Sequence, residues 1–134
     1  MQSLCLMSVL ALTAGCVGND GAIEYQVEGG LSGRGDGSPA VRIEPDGTIT
    51  RTPREGDPEV RVLSSSTMAT LRARIAALEV RTLSDSYAKC CDFFEHVLTV
   101  ELDRRMRTLT VSDNSGAPRE LEDLIDLLHD LAVQ

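Results

Sequence analysis

The chain has no tryptophan, and only two tyrosines and two phenylalanines among its 134 residues. Tyr25, Tyr87, Phe93 and Phe94 cannot fill a core between them, so the core must be aliphatic, built from Leu, Val, Ile and Ala. Lysine occurs once, at Lys89, and the formal net charge is −8. An acidic chain with no basic stripe and few stacking rings repels phosphate backbones, which argues against a nucleic-acid partner. No apolar run reaches the roughly 20 residues that a membrane-crossing helix needs. There is no His-Glu-x-x-His, no Gly-x-Ser-x-Gly and no Gly-Lys-Ser/Thr, so zinc-peptidase, hydrolase-elbow and phosphate-loop chemistry lack their residues. No catalytic constellation can be assembled. The expectation is a protein that is not an enzyme and needs no cofactor or metal, with no small-molecule substrate evident.

What is present begins at the N-terminus. Residues 4–14 are apolar or small apart from Ser8 and Thr13, the pattern of a signal-peptide hydrophobic segment. Leu12-Thr13-Ala14-Gly15-Cys16 follows at its end. It resembles a bacterial lipobox, in which Cys16 is lipidated and becomes the new N-terminus. That implies a signal peptide at 1–15, a lipidated tether at 16–21 and one domain at 22–134. A single acyl chain binds a bilayer marginally, whereas two or more hold it stably, so a lipidated Cys16 implies permanent membrane attachment. Val17, not Asp, follows the cysteine, which favours the outer membrane of a bacterial envelope over the inner.

Along the remaining chain, Ile23-Glu24-Tyr25-Gln26-Val27 alternates as a half-buried strand does. Gly29 to Pro39 is too glycine-rich for strand or helix. Val41-Arg42-Ile43 and Thr48-Ile49-Thr50 flank Asp46-Gly47, a hairpin signal. Val60-Arg61-Val62-Leu63 suits a further short strand. Ser64-Ser65-Ser66-Thr67 offers helix caps before Met68, Leu71, Ile75 and Leu78, which share one helical face. Residues 80–91 read as irregular, with a turn at Ser84-Asp85-Ser86. The clearest strand places Phe94, His96, Leu98, Val100 and Leu102 on one side. Asp103-Arg104-Arg105 turns it into a partner carrying Arg107, Leu109 and Val111. Pro118 suits the first turn of a last helix whose apolar face is Leu121, Leu124, Ile125, Leu128 and Leu131. The order predicts an α+β domain: an antiparallel sheet of about four to six strands with two helices on one face.

Two local features and this layout resemble the emfourin-like family, small bacterial inhibitors of thermolysin-type metallopeptidases. Ile23-Glu24-Tyr25 matches the family's opening strand, and Gly29-Gly30-Leu31-Ser32-Gly33 its Gly-Gly-x-x-Gly. Leu71, Ile75 and Leu78 match its first helix, and the hairpin and last helix follow in order. The chain departs by inserting residues 34–39, by extra residues at 48–63 and by Cys90-Cys91. The resemblance implies the fold above and a metallopeptidase partner. The alternative is a structural or assembly lipoprotein of an envelope complex, with no inhibitory activity. Inhibition would need a loop that enters a substrate cleft uncut, which turns attention to Gly29, Gly30, Leu31, Ser32 and Gly33 as a partner-binding loop.

The other candidates have plainer readings beside them. The glycine loop is also a solvated connection, and Arg34-Gly35-Asp36 within it is a chance tripeptide. Cys90 and Cys91 leave three states open: a vicinal disulfide, a bridge between chains, or reduced thiols. Adjacent cysteines chelate one ion awkwardly, so Cys90, Cys91, Asp92 and His96 make a poor metal set. His96 falls on the apolar side of its strand, where a packed histidine is expected. His129 lies near the end of the last helix, where the dipole favours a cation.

Overall fold

The computed structural model describes residues 21–29, 39–88, 94–113 and 115–134. Cys16 and the rest of the leader, residues 30–33 of the glycine loop, and Cys90 and Cys91 lie outside the described residues.

The fold is α+β; the described residues form a seven-stranded sheet and two helices. In chain order the strands are β1 (Ile23–Gly29), β2 (Ala40–Ile43), β3 (Thr48–Thr52), β4 (Glu59–Val62), β5 (Ser86–Tyr87), β6 (Phe94–Leu102) and β7 (Arg105–Ser112). Helix α1 (Ser65–Ala76) lies between β4 and β5, and α2 (Arg119–Val133) closes the chain. The spatial order is β4-β3-β2-β1-β6-β7-β5. Among the described residues, no helix is long and apolar enough to cross a membrane.

Alternation sets the faces. Ile23, Tyr25, Val27, Val41, Ile43, Ile49, Leu98, Val100, Leu102, Leu109 and Val111 are all buried and point to one side. Met68 and Leu71 from α1, and Leu121, Leu124, Ile125, Leu128, Leu131 and Ala132 from α2, are buried against them in one cluster. Each such aliphatic side chain contributes about 1.5–3 kcal/mol on burial. Among the described residues, no helix covers the opposite face. That face carries polar pairs such as the Glu24–Arg42 ion pair and Thr99–Thr108, whose hydroxyls are 3.1 Å apart.

The turns follow residue chemistry. Gly47 sits at φ 94° between β2 and β3, a conformation glycine adopts freely. Asp103 and Arg104 form the tight β6–β7 turn, both at positive φ, as the twist of a two-residue hairpin requires. Arg105, expected in the turn, is instead the first residue of β7, paired with Leu102. Ser64 caps α1 by accepting from the Thr67 amide at 3.1 Å. Pro118 stands just before α2 as its N-cap residue rather than within its first turn.

Two expectations need correction. There are seven strands, and the sheet is mixed, because β5 runs parallel to β7. Both differences come from residues 80–88, expected to be irregular. They hold a 3-10 turn at Val80–Thr82 and the short β5. Arg107 organises them: its guanidinium donates to the Leu83 carbonyl at 2.8 Å and to Asp85 Oδ1 at 2.6 Å. A single arginine on the sheet thereby satisfies carbonyl and carboxylate groups that lack helix or ladder partners.

Candidate functional site

At one end of the helix-covered layer the aliphatic packing gives way to polar side chains. Tyr25 from β1, His96 from β6 and His129 from α2 converge there. Alternation aims Tyr25 and His96 inward, since Val27 pairs with His96 and Tyr25 with Leu98 on the same face. Helical periodicity aims His129 at them, one turn beyond Ile125 and next to Leu128. The Tyr25 hydroxyl lies 2.7 Å from His96 Nδ1 and 3.0 Å from His129 Nδ1. His96 Nε2 lies 2.8 Å from Asp113 Oδ1, at the end of β7. The Tyr25 and His96 rings are nearly parallel, 5.9 Å apart. His129 stands edge-on to both.

Donor and acceptor counts allow this chain two directions. A carboxylate at Asp113 only accepts, so His96 Nε2 is the donor there. With a lone pair on His96 Nδ1, that atom accepts the Tyr25 O–H and His129 Nδ1–H donates to the Tyr25 oxygen. With a proton on His96 Nδ1, that N–H donates to the Tyr25 oxygen and the Tyr25 O–H is given to His129 Nδ1. In both, Tyr25 joins the two rings and His96 joins them to Asp113. His129 Nε2, on the far side of its ring, makes no hydrogen bond among the described residues.

Electrostatics hold Tyr25 as a phenol. Burial pushes its ionisation well above the ordinary tyrosine value, and the carboxylates of Asp113 and Asp126 push it further. A hydroxyl that is engaged on both sides and resists ionisation is a poor nucleophile and a good clamp. It ties α2 to the two central strands with directional bonds where the rest of the layer uses non-directional packing.

Beside the clamp is a cleft of about 420 Å³ whose lining includes Val27, Pro39, Arg54, Phe94, Asp126 and the clamp residues His96, Asp113 and His129. Gly29 pairs with Phe94 at the end of β1, and Val27 N–H donates to the Pro39 carbonyl at 3.2 Å. The two described ends of the glycine-rich connection, Gly29 and Pro39, therefore lie at this cleft. Among the described residues no three His, Cys, Asp or Glu side chains converge to hold a metal ion.

Of the residues singled out in the sequence, His96 is where the alternation puts it, packed on the covered face with its side chain 14% exposed. His129 lies in the last turns of α2, as expected, and its Nδ1 is a hydrogen-bond partner of the Tyr25 hydroxyl. Tyr25 was visible as an apolar position of β1 and in the Ile23-Glu24-Tyr25 pattern, and nothing local marks Asp113, which directly follows β7. Their meeting joins positions 71 and 104 residues apart in sequence, and no local spacing encodes it. Set against models of known protein families and against curated proteins, the chain matches none of them.

Proposed function

We propose that this chain is a non-enzymatic, protein-binding lipoprotein of a bacterial envelope, fastened through lipid on Cys16, and that its partner is a thermolysin-like metallopeptidase which it inhibits. The observation that carries the binding reading is the cleft-edged end of the domain. There the glycine-rich connection of the emfourin-like pattern leaves Gly29 and returns at Pro39, beside a clamp that fixes β1, β6 and α2 together. A binding loop works best on a rigid base, because ordering a loose one on binding costs affinity. The clamp supplies such a base and offers no activated nucleophile, since Tyr25 is held protonated.

Two measurements test the two halves. The purified native chain, incubated at micromolar concentration with a thermolysin-like peptidase, is expected to slow peptide cleavage; unchanged turnover counts against inhibition. Intact-mass analysis of the native product is expected to show the loss of residues 1–15 and added acyl mass. A product that keeps Met1 and carries no acyl group refutes the anchor.

A further inference from the structure

The two edges of the sheet differ. β5 is two residues long, too short to template another strand. β4 is four residues long, every one of them exposed, and no strand among the described residues pairs with its outer backbone edge. Natural proteins rarely leave such an edge without a use or a guard.

The ladder fixes which groups face outward. Leu63 N–H donates inward to the Gly47 carbonyl at 2.9 Å. Antiparallel pairing alternates the direction residue by residue, so Arg61 and Glu59 also turn their backbone groups inward and Val60 and Val62 turn theirs out. Side chains divide likewise. Glu59 and Arg61 lie on the helix side, where Glu59 pairs with Arg51 at 2.7 Å and Arg61 donates to Gln134 at 3.2 Å. Val60 and Val62 lie on the other face, 68% and 74% exposed.

We propose that β4 is a self-recognition edge: two copies of this chain pair antiparallel through it about a two-fold axis at Val60. Registers that keep both faces continuous shift by two residues in the residue sum, and only one suits the side chains. Centring on Glu59 sets Glu59 against Glu59 of the second copy. Centring on Arg61 sets arginine against arginine. Centring on Val62 sets Arg61 against Leu63 and Glu59 against Ser65, the first residue of α1. Centring on Val60 sets Glu59 against Arg61 twice, in the closely spaced positions of the ladder, and valine against valine on the open face. The backbone agrees. Val60 exchanges N–H and C=O with its own copy, and Val62 N–H meets the carbonyl of Pro58, while the Val62 carbonyl, opposite a residue with no N–H, stays with solvent. The result is an isologous, closed pair that continues the sheet through both domains.

Charge reversal tests this directly. The full chain, in density-matched detergent, is expected to sediment as a dimer. Glu59→Arg alone and Arg61→Glu alone each produce like charges across the axis and are expected to sediment as monomers. An equimolar mixture of the two variants restores every opposite pair and is expected to regain the dimer. Val60→Pro removes the reciprocal N–H from an outward-facing position, so it should leave the circular dichroism spectrum unchanged and abolish the dimer. A native chain that is monomeric at its highest soluble concentration overturns the proposal and leaves the edge to a foreign strand. So does a mixture of folded variants that fails to re-associate. Peptidase inhibition is read independently of this mass, so the two ideas fail separately.

Discussion

The two ends of the helix-covered layer are built on different principles. Beneath α1, Ile23, Ile43, Met68, Leu71 and Val100 meet with aliphatic surface alone. Beneath the second half of α2, Tyr25, His96 and His129 replace that surface with a hydrogen-bond chain ending on Asp113. Aliphatic packing is insensitive to pH and tolerant of orientation, and its cost on truncation grows with the cavity left behind. The polar end contributes less net energy per group, because each bond replaces one to water, but it fixes three elements in a single arrangement. The lesson is a division of labour: one end holds the domain together, and the other sets the geometry next to the cleft.

The sharpest way to break the comparison is at the aliphatic end. Leu71 is fully buried in α1, so Leu71→Ala is expected to destabilise the domain by about 3 kcal/mol, as transfer and cavity costs add. A shift in the urea midpoint with an unchanged slope measures it. A loss under about 1 kcal/mol would mean that this end is loosely packed, and the contrast would fail.

Tyr25→Phe cuts the polar end with little change of shape. It leaves two imidazole Nδ1 atoms without their partner, and the expected loss is about 2 kcal/mol. It should also broaden or double the amide resonances of α2 around His129 while leaving those of α1 sharp. If both helices respond alike, the clamp has no special role in setting geometry.

The same hydroxyl gives a pH test. Burial and the nearby carboxylates raise the Tyr25 ionisation in the folded state. The unfolded chain ionises a tyrosine at about pH 10. A group raised in this way stabilises the fold fully below that pH, and the contribution drains away as pH climbs from there through the folded value. The chain has two tyrosines, so Tyr87→Phe isolates Tyr25. In that variant, phenolate absorbance is expected to appear only together with loss of helical circular dichroism. Phenolate formed at about pH 10 with the fold intact would show an accessible hydroxyl and no clamp.

Which parts of this contrast could be read in the sequence follows from how far apart the interacting residues are. The aliphatic end is written locally. Met68, Leu71 and Ile75 recur at helical spacing, Leu98, Val100 and Leu102 at strand spacing, and each pattern announces its buried face without reference to the other. The α+β architecture with helices on one face follows from those patterns. The polar end is written across the chain. Tyr25, His96, Asp113 and His129 each have an ordinary local explanation, and only the β1–β6 register together with the seating of α2 makes them one chain. β5 escaped for a related reason: two residues carry no period, and the turn before them, at Leu83 and Asp85, is held by Arg107, more than 20 residues away. β4 was legible as a strand but not as an edge, because strand order is a property of the whole sheet.

The smallest effect separates the two helices themselves. Helix α2 buries six residues along one face and has no side-chain cap at Pro118. Helix α1 buries only Met68 and Leu71 within its span and begins with the Ser64 hydroxyl accepting from the Thr67 amide. A helix with so little buried surface depends more on its ends, since short helices are marginal without tertiary support. Ser64→Ala removes one bond from an exposed terminus and is expected to cost about 1 kcal/mol. Hydrogen exchange locates the loss better than the midpoint does. Amides in the first turn of α1 should exchange faster, roughly fivefold for about 1 kcal/mol, with those of α2 unchanged. Equal acceleration in both helices would mean that α1 and α2 open as one cooperative unit. The aliphatic and polar ends would then be a difference of chemistry without a difference of stability.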